Sequence, residues 1–201
     1  MQQTSTLPPV VEADEIAARG FLTRTELGQH FLRSSEAARR LLGAIDIPAD
    51  AHVIEVGAGL GTLSRTIALA GYRLWAIEKD ERLRQQLTGQ LAEFGSRARL
   101  TIGDVRHVDL EHGVGERGVL VSIMPFDPEL SVALTKHVLS FPAVTRGLVV
   151  LPCAAADRLA SETGHQLEVE EVDGISRSDF WPEASTVLRV VTIEKVLPCR
   201  S

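Results

Sequence analysis

Short apolar runs at His52–Val56, Arg73–Ile77, Ala98–Ile102, Val119–Ile123 and Gly147–Leu151 alternate with helix-length segments, and this constrains the chain more than any other feature. Strands that return parallel to one another need a crossover of a dozen or more residues, so the alternation predicts a parallel sheet with helices on both faces. A helix is expected near Ser35 to Ile45. After Gly61, Leu63, Ile67 and Ala70 share one helical face, and Gly71 is placed to end that helix in the left-handed conformation. Asp80 can cap the next helix, whose Leu83, Leu87 and Leu91 repeat every four residues until Gly95 stops it. Gln166 to Val172 and Thr186 to Val196 read as two further strands with no helix between them, an antiparallel pair closing the sheet. Residues 1–11, with Pro8-Pro9, read as a loose tail, and Glu12 to Arg19 as a short helix ended by Gly20. The expected organisation is an N-terminal arm over 1–34 and a single α/β domain over 35–201, with no room for a second domain.

Composition narrows the function classes. The 201 residues are 44% hydrophobic and 24% charged, enough to build a core without disulfides. Cys153 and Cys199 lie far apart without metal-ligand spacing, and His107 and His112 fall in an expected loop, so no metal site is expected. No apolar run reaches membrane-span length and no signal peptide is legible, which predicts a cytoplasmic protein with no membrane partner. With 21 Lys+Arg against 27 Asp+Glu, the net charge of −6 shows no basic tract, so any nucleic-acid contact must come from a local patch. Ser161 to Glu183 is acidic and reads as a solvated face.

Chemistry concentrates at the strand ends. Glu55-Val56-Gly57-Ala58-Gly59-Leu60-Gly61 ends the first strand and opens a helix. Glycines there permit a tight turn and a close backbone approach, and the helix start offers unpaired N–H groups. That is the pattern of a nucleoside-cofactor site. A dinucleotide fingerprint would put its third glycine where Thr62 stands, so the spacing fits NAD poorly. Glu78, 21 residues after Gly57, can accept both hydroxyls of a ribose lying across the sheet edge. Asp104, after the third strand, can accept from an adenine amine while the Val105 N–H meets the ring. Alone, either acid reads as a cap or surface group. Three such features at three consecutive strand ends read as a site.

Gly28-Gln29-His30-Phe31-Leu32, the Glu55–Gly61 loop, Glu78 and Gly103-Asp104 together resemble the motif set of the ribosomal RNA adenine N6-dimethyltransferases, which include the KsgA- and Erm-type enzymes. The resemblance runs from about Leu27 through nearly the whole chain. It implies a Rossmann-like class I S-adenosylmethionine-dependent methyltransferase fold, a mostly parallel seven-stranded sheet with an antiparallel strand at its C-terminal end. It also implies S-adenosylmethionine as cofactor, held among Gln29, His30, Leu32, Glu55, Gly57, Ala58, Gly59, Gly61, Glu78, Lys79, Asp104 and Val105. The candidate catalytic segment is Ser122-Ile123-Met124-Pro125-Phe126, where the family carries N-L/I-P-Y/F.

That segment departs from the pattern. In the family an asparagine amide oxygen and a backbone carbonyl accept hydrogens from the exocyclic adenine amine, localising its lone pair, and the aromatic stacks on the flipped base. Ile123 stands at the asparagine position and accepts nothing. Losing an acceptor on developing positive charge costs about 1.5–3 kcal/mol, or about ten- to a hundredfold in rate. A one-residue bulge would bring Ser122 into the vacancy. Phe126 keeps the aromatic. The family's Q-K-E-x-x-x-R-L stretch becomes Pro152 to Leu159, keeping only Arg158-Leu159, and of F-x-P-P-P-x-V-x-S only Phe180 and Pro182 begin the pattern. Phe180-Trp181 reads as a hydrophobic lid or core edge, or as a substrate wall. The family's small helical C-terminal domain has no counterpart in these 201 residues. Two acceptors therefore stay open, RNA adenine by the family pattern and a small molecule by the departures, alongside a cofactor-binding module without methyl transfer and another sulfonium-using reaction.

Overall fold

The computed structural model describes residues 13–196, so the expected tail over 1–11, Glu12 and Cys199 lie outside the described residues. The elements in chain order are α1 (Ala13–Ala18), β1 (Phe31–Leu32), α2 (Ser35–Leu42), β2 (His52–Val56), α3 (Thr62–Leu69), β3 (Arg73–Glu78), α4 (Arg84–Leu91), β4 (Ala98–Ile102), β5 (Gly118–Ile123), α5 (Pro128–Leu139), β6 (Val144–Pro152), α6 (Cys153–Thr163), β7 (Leu167–Val172), β8 (Phe180–Trp181) and β9 (Leu188–Lys195).

Seven strands form one sheet in the order β4-β3-β2-β5-β6-β9-β7. The pairs from β4 through β6 are parallel, and β9 runs antiparallel to both β6 and β7. The last two long strands thus pair as the sequence predicts, but α6 first carries the chain to the outer position, and β9 fills the gap left beside β6. Because both faces are covered, successive residues of a central strand feed opposite cores. Val53, Leu74, Ala76, Val119 and Val121 pack on the face held by Leu41, Leu63, Ile67 and Leu87 of α2, α3 and α4. Ile54, Trp75, Ile77 and Leu120 pack on the face held by Val132, Val138, Ala155 and Leu159 of α5 and α6. Each buried valine, leucine or isoleucine among them contributes about 1.5–3 kcal/mol, which makes the sheet a rigid platform.

Helix ends follow the local chemistry. Gly20 and Gly71 take positive φ after α1 and α3, as does Gly95 beyond α4. The Asp80 carboxylate accepts from the Arg82 N–H and caps the 3-10 turn that leads into α4. Asp127 caps α5, with Pro128 in its first turn. The short N-terminal arm is stitched to the C-terminal part of the chain. Phe31 pairs with Trp181 and Leu32 with Phe180, and both Phe31 and Leu32 are buried in the first core.

Candidate active site

The strand order reverses between β2 and β5. From β2 the chain progresses outward to β3 and β4, whereas β5 leads to β6 on the other side. Crossovers leave in opposite directions there, which opens a crevice at the carboxyl ends of the strands. It encloses about 150 Å³ and receives residues from the arm, the glycine loop, the ends of β3, β4 and β5, and helix α5.

Gly57, Gly59 and Gly61 have φ of 74°, 57° and 88°, a conformation that side-chain-bearing residues rarely adopt. The alternate-glycine spacing is therefore a backbone requirement. A Cβ on Gly59 would stand 3.0 Å from the Phe31 ring, so the arm packs directly on the loop. Glu78 locks the same turn. One carboxylate oxygen accepts the Gly59 N–H at 2.8 Å and the other the Asp80 N–H at 2.7 Å. Burial pushes the Glu78 pKa up, opposed by these N–H donors. Glu55 lies deeper, buried beneath the loop and accepting from the Ser64 hydroxyl, and burial pushes its pKa up to about 8. It is protonated at neutral pH.

Asp104 is an anion held in a fork. Arg106 donates to it through its backbone N–H and guanidinium, and Lys79 Nζ stands 3.1 Å away. The Arg106 hydrogen bonds hold its pKa below the ordinary carboxylate range. Gln29 spends its amide on the fold, donating to Asp80 and accepting the Arg24 N–H. Asp80, fully buried, is lowered to about 2, chiefly by Arg82. The apolar walls are Ile77, Val105, Leu130 and Leu134.

All twelve residues of the expected cofactor set except Gly61 line the crevice, and Gly61 opens α3 behind the loop. The expected catalytic segment divides. Ile123, Met124 and Pro125 line the crevice, but Ser122 does not. Its hydroxyl donates to the Val56 carbonyl at 2.6 Å in the buried sheet, and β5 continues through Ser122 and Ile123 in unbroken register with β6. The bulge that would bring Ser122 forward is absent there, because pleating turns its side chain to the face opposite that of Ile123. Phe126 is also withheld from the crevice. The His30 ring stacks on it with centroids 4.6 Å apart and planes 22° apart, and Phe180 meets it edge-on at 5.1 Å. Phe180 is fully buried, so the core-edge reading holds for it and the substrate-wall reading does not. Trp181 stacks on Phe31. Sequence reasoning missed Leu130, Leu134 and Arg106. The first two carry only an ordinary apolar helix pattern, and Arg106 shows its role only once it folds back on Asp104.

The donor set fits the nucleoside cofactor that the sequence motifs imply. A buried carboxyl group beside a side-chain-free loop suits a ribose diol, since each Glu78 oxygen has a second lone pair beyond the one its N–H donor uses. The apolar walls suit a purine. Among the described residues no cluster of three or more His, Cys, Asp or Glu is placed to hold a metal ion, and no helix is long and apolar enough to cross a membrane.

Comparison with known proteins agrees with this geometry. Ribosomal RNA small subunit methyltransferase A of Corynebacterium diphtheriae is 31% identical over 214 aligned positions, covering 96% of this chain and 70% of the relative. The protein of the same name in Streptomyces avermitilis is 31% identical, with 83% and 61% covered. The chain thus spans about two thirds of the length of these curated relatives. Among solved structures, the 23S rRNA methyltransferase ErmE superposes with a TM-score of 0.70 at 20% identity, covering 83% of this chain and 70% of that one. Magnesium protoporphyrin IX methyltransferase from Synechocystis PCC 6803, solved with its methyl donor bound, superposes with a TM-score of 0.58 at 14% identity, covering 79% and 76%. These two likenesses establish the Rossmann-like methyltransferase fold. The model of the ribosomal RNA adenine dimethylase family matches residues 20–170, three quarters of the sequence, and with the Corynebacterium relative it shows that this chain belongs to that family.

Proposed function

We propose that the chain is an S-adenosylmethionine-dependent methyltransferase acting on an adenine of RNA in the cytoplasm. One observation carries the reading: the glycine loop, Glu78 and Asp104 converge at the carboxyl ends of β2, β3 and β4, on the strand-order reversal. When bound, the cofactor supplies an electrophilic methyl carbon on a sulfonium. The protein's part is position and desolvation. Glu78 accepts the ribose hydroxyls, Asp104 orients the cofactor's adenine amine, and Ile77, Val105, Leu130 and Leu134 exclude water from the ring. Residues 26–32 of the arm wall the crevice, and the α/β domain that follows supplies its floor. The acceptor enters over Ile123, Met124 and Pro125, which offer hydrocarbon and backbone carbonyls and no side-chain base.

Ile123 favours a second reading, a small-molecule acceptor, because the side-chain acceptor for an adenine amine is missing. The two separate in one experiment. The protein is incubated with methyl-labelled S-adenosylmethionine, total RNA and a metabolite extract. Label in RNA N6-methyladenine is expected; label only in small molecules selects the second reading, and label in neither refutes methyl transfer. The cofactor claim has its own check in calorimetry with S-adenosylhomocysteine. Glu78→Ala should weaken binding by about tenfold to a hundredfold, the worth of lost charge-assisted hydrogen bonds. Unchanged affinity in a folded variant would refute the assignment of the ribose site.

A further inference from the structure

Asp104 is more heavily occupied than a group waiting for a ligand needs to be. A carboxylate offers about four lone-pair sites, two on each oxygen. Oδ1 accepts the Arg106 backbone N–H at 3.1 Å and the Arg106 Nε at 2.9 Å. Oδ2 accepts Arg106 Nη2 at 2.5 Å and stands 3.1 Å from Lys79 Nζ. Donors thus fill both sites of both oxygens, and an adenine amine can be accepted only where one of them leaves. The backbone donor is fixed, because it belongs to the cap of the 3-10 turn Val105–His107. The side chains are free to go: Asp104 is 14% exposed, whereas Arg106 is 50% and Lys79 55% exposed. All three residues line the crevice. Lys79 covers Oδ2 alone, but the guanidinium covers both oxygens. Whichever oxygen an incoming amine approaches, it meets an Arg106 bond.

We propose that Arg106 is a built-in competitor for the cofactor's adenine: its guanidinium holds the place on Asp104 that the exocyclic amine takes, and leaves for solvent when the amine arrives. The inference rests on the nucleoside-cofactor reading of the crevice. No covalent bond changes; a cationic donor is exchanged for a neutral one on the same acceptor. The exchange is feasible because a half-exposed guanidinium regains water as it leaves, and an ion pair open to water contributes little. Arg106 therefore sets cofactor affinity by opposing the ligand. Its removal strengthens binding, the reverse of what loss of a contact residue does.

Arg106→Met keeps the apolar stem and the backbone N–H of the turn and removes the guanidinium. In calorimetry it should bind S-adenosylhomocysteine about threefold to fivefold more tightly than wild type, the worth of a well-aligned but solvent-exposed pair. S-inosylhomocysteine, with a carbonyl oxygen in place of the amine, has no donor for the freed site and should gain nothing. Nitrogen-15 NMR of the arginine side chains reads the exchange directly. The Arg106 Nε resonance, assigned by its loss in Arg106→Met, should move when wild-type protein is saturated with S-adenosylhomocysteine. Unchanged or weaker S-adenosylhomocysteine binding by the folded variant, an equal gain for both ligands, or an unmoved Nε resonance overturns the proposal and leaves the cofactor reading standing. If neither wild type nor variant binds S-adenosylhomocysteine, the cofactor reading itself fails and the proposal falls with it.

Discussion

The two ends of the crevice are built on opposite plans. At the donor end, backbone and side chains are rich in polar groups that are already satisfied: Glu78 holds two N–H groups, Asp104 sits in an arginine fork, and three glycines bare the backbone. At the acceptor end, Ile123, Met124 and Pro125 present hydrocarbon, and the aromatic ring that would face a base is covered by His30. The difference teaches where binding energy is pre-arranged. Beyond the Arg106 side chain the donor end needs no reorganisation to take a nucleoside, because every polar group is fixed by another. The acceptor end offers apolar side chains at Ile123, Met124 and Pro125, and the Phe126 ring beside them is held by His30 of the arm and Phe180 of β8 rather than by the sheet.

Three experiments break or sharpen this contrast. The largest effect is expected from Glu55 at the donor end. A carboxyl whose pKa rises from 4.5 unfolded to about 8 folded keeps a proton that the unfolded chain releases, so stability falls as pH climbs through that window. Glu55→Gln removes this slope and should make the protein more stable than wild type by about 2–4 kcal/mol at pH 9. Denaturation by urea at pH 5, 7 and 9 measures it, and parallel curves for the two proteins would refute it. Asp80 works in the opposite sense. Its pKa is lowered to about 2, so its stabilisation is complete above pH 4 and is lost only as pH falls toward 2, outside the Glu55 window.

At the acceptor end, Ile123→Asn restores an amide where the family has one and should raise adenine methylation by about tenfold, with little change in cofactor affinity. A rate that stays flat would refute the reading that the missing amide at Ile123 limits adenine methylation. The smallest effect is expected from Ser122→Ala. Its hydroxyl belongs to the sheet interior, so the change should cost about 1 kcal/mol of stability and leave kcat unaltered. A fall in kcat would return Ser122 to the site.

The fold was legible wherever a local pattern has one geometric solution. The five parallel strands, the glycine stops after α1 and α3, and the Asp80 cap follow from periodicity and backbone chemistry, and the structure keeps them. Helices α5 and α6 were implied only by the need to connect parallel strands. Of the candidate site, the donor end was readable because glycines at positive φ and acids at strand ends are forced by backbone geometry. The acceptor end was less legible: one residue of pleat decides that Ser122 faces the sheet interior, and Phe126 is held by ring contacts from residues 96 and 54 positions away in the chain.

By itself the sequence determined the α/β layering, the glycine cradle and the acids beside it, since these depend on hydrophobic period and on φ angles that only glycine tolerates. Only the tertiary structure decided that β1 pairs with β8, that His30 turns its Nδ1 to Pro182 and lies on Phe126, and that Asp104 is gripped by Arg106. Those contacts join segments whose separation along the chain carries no periodic signal, and their energies exist only once the sheet has brought the segments together.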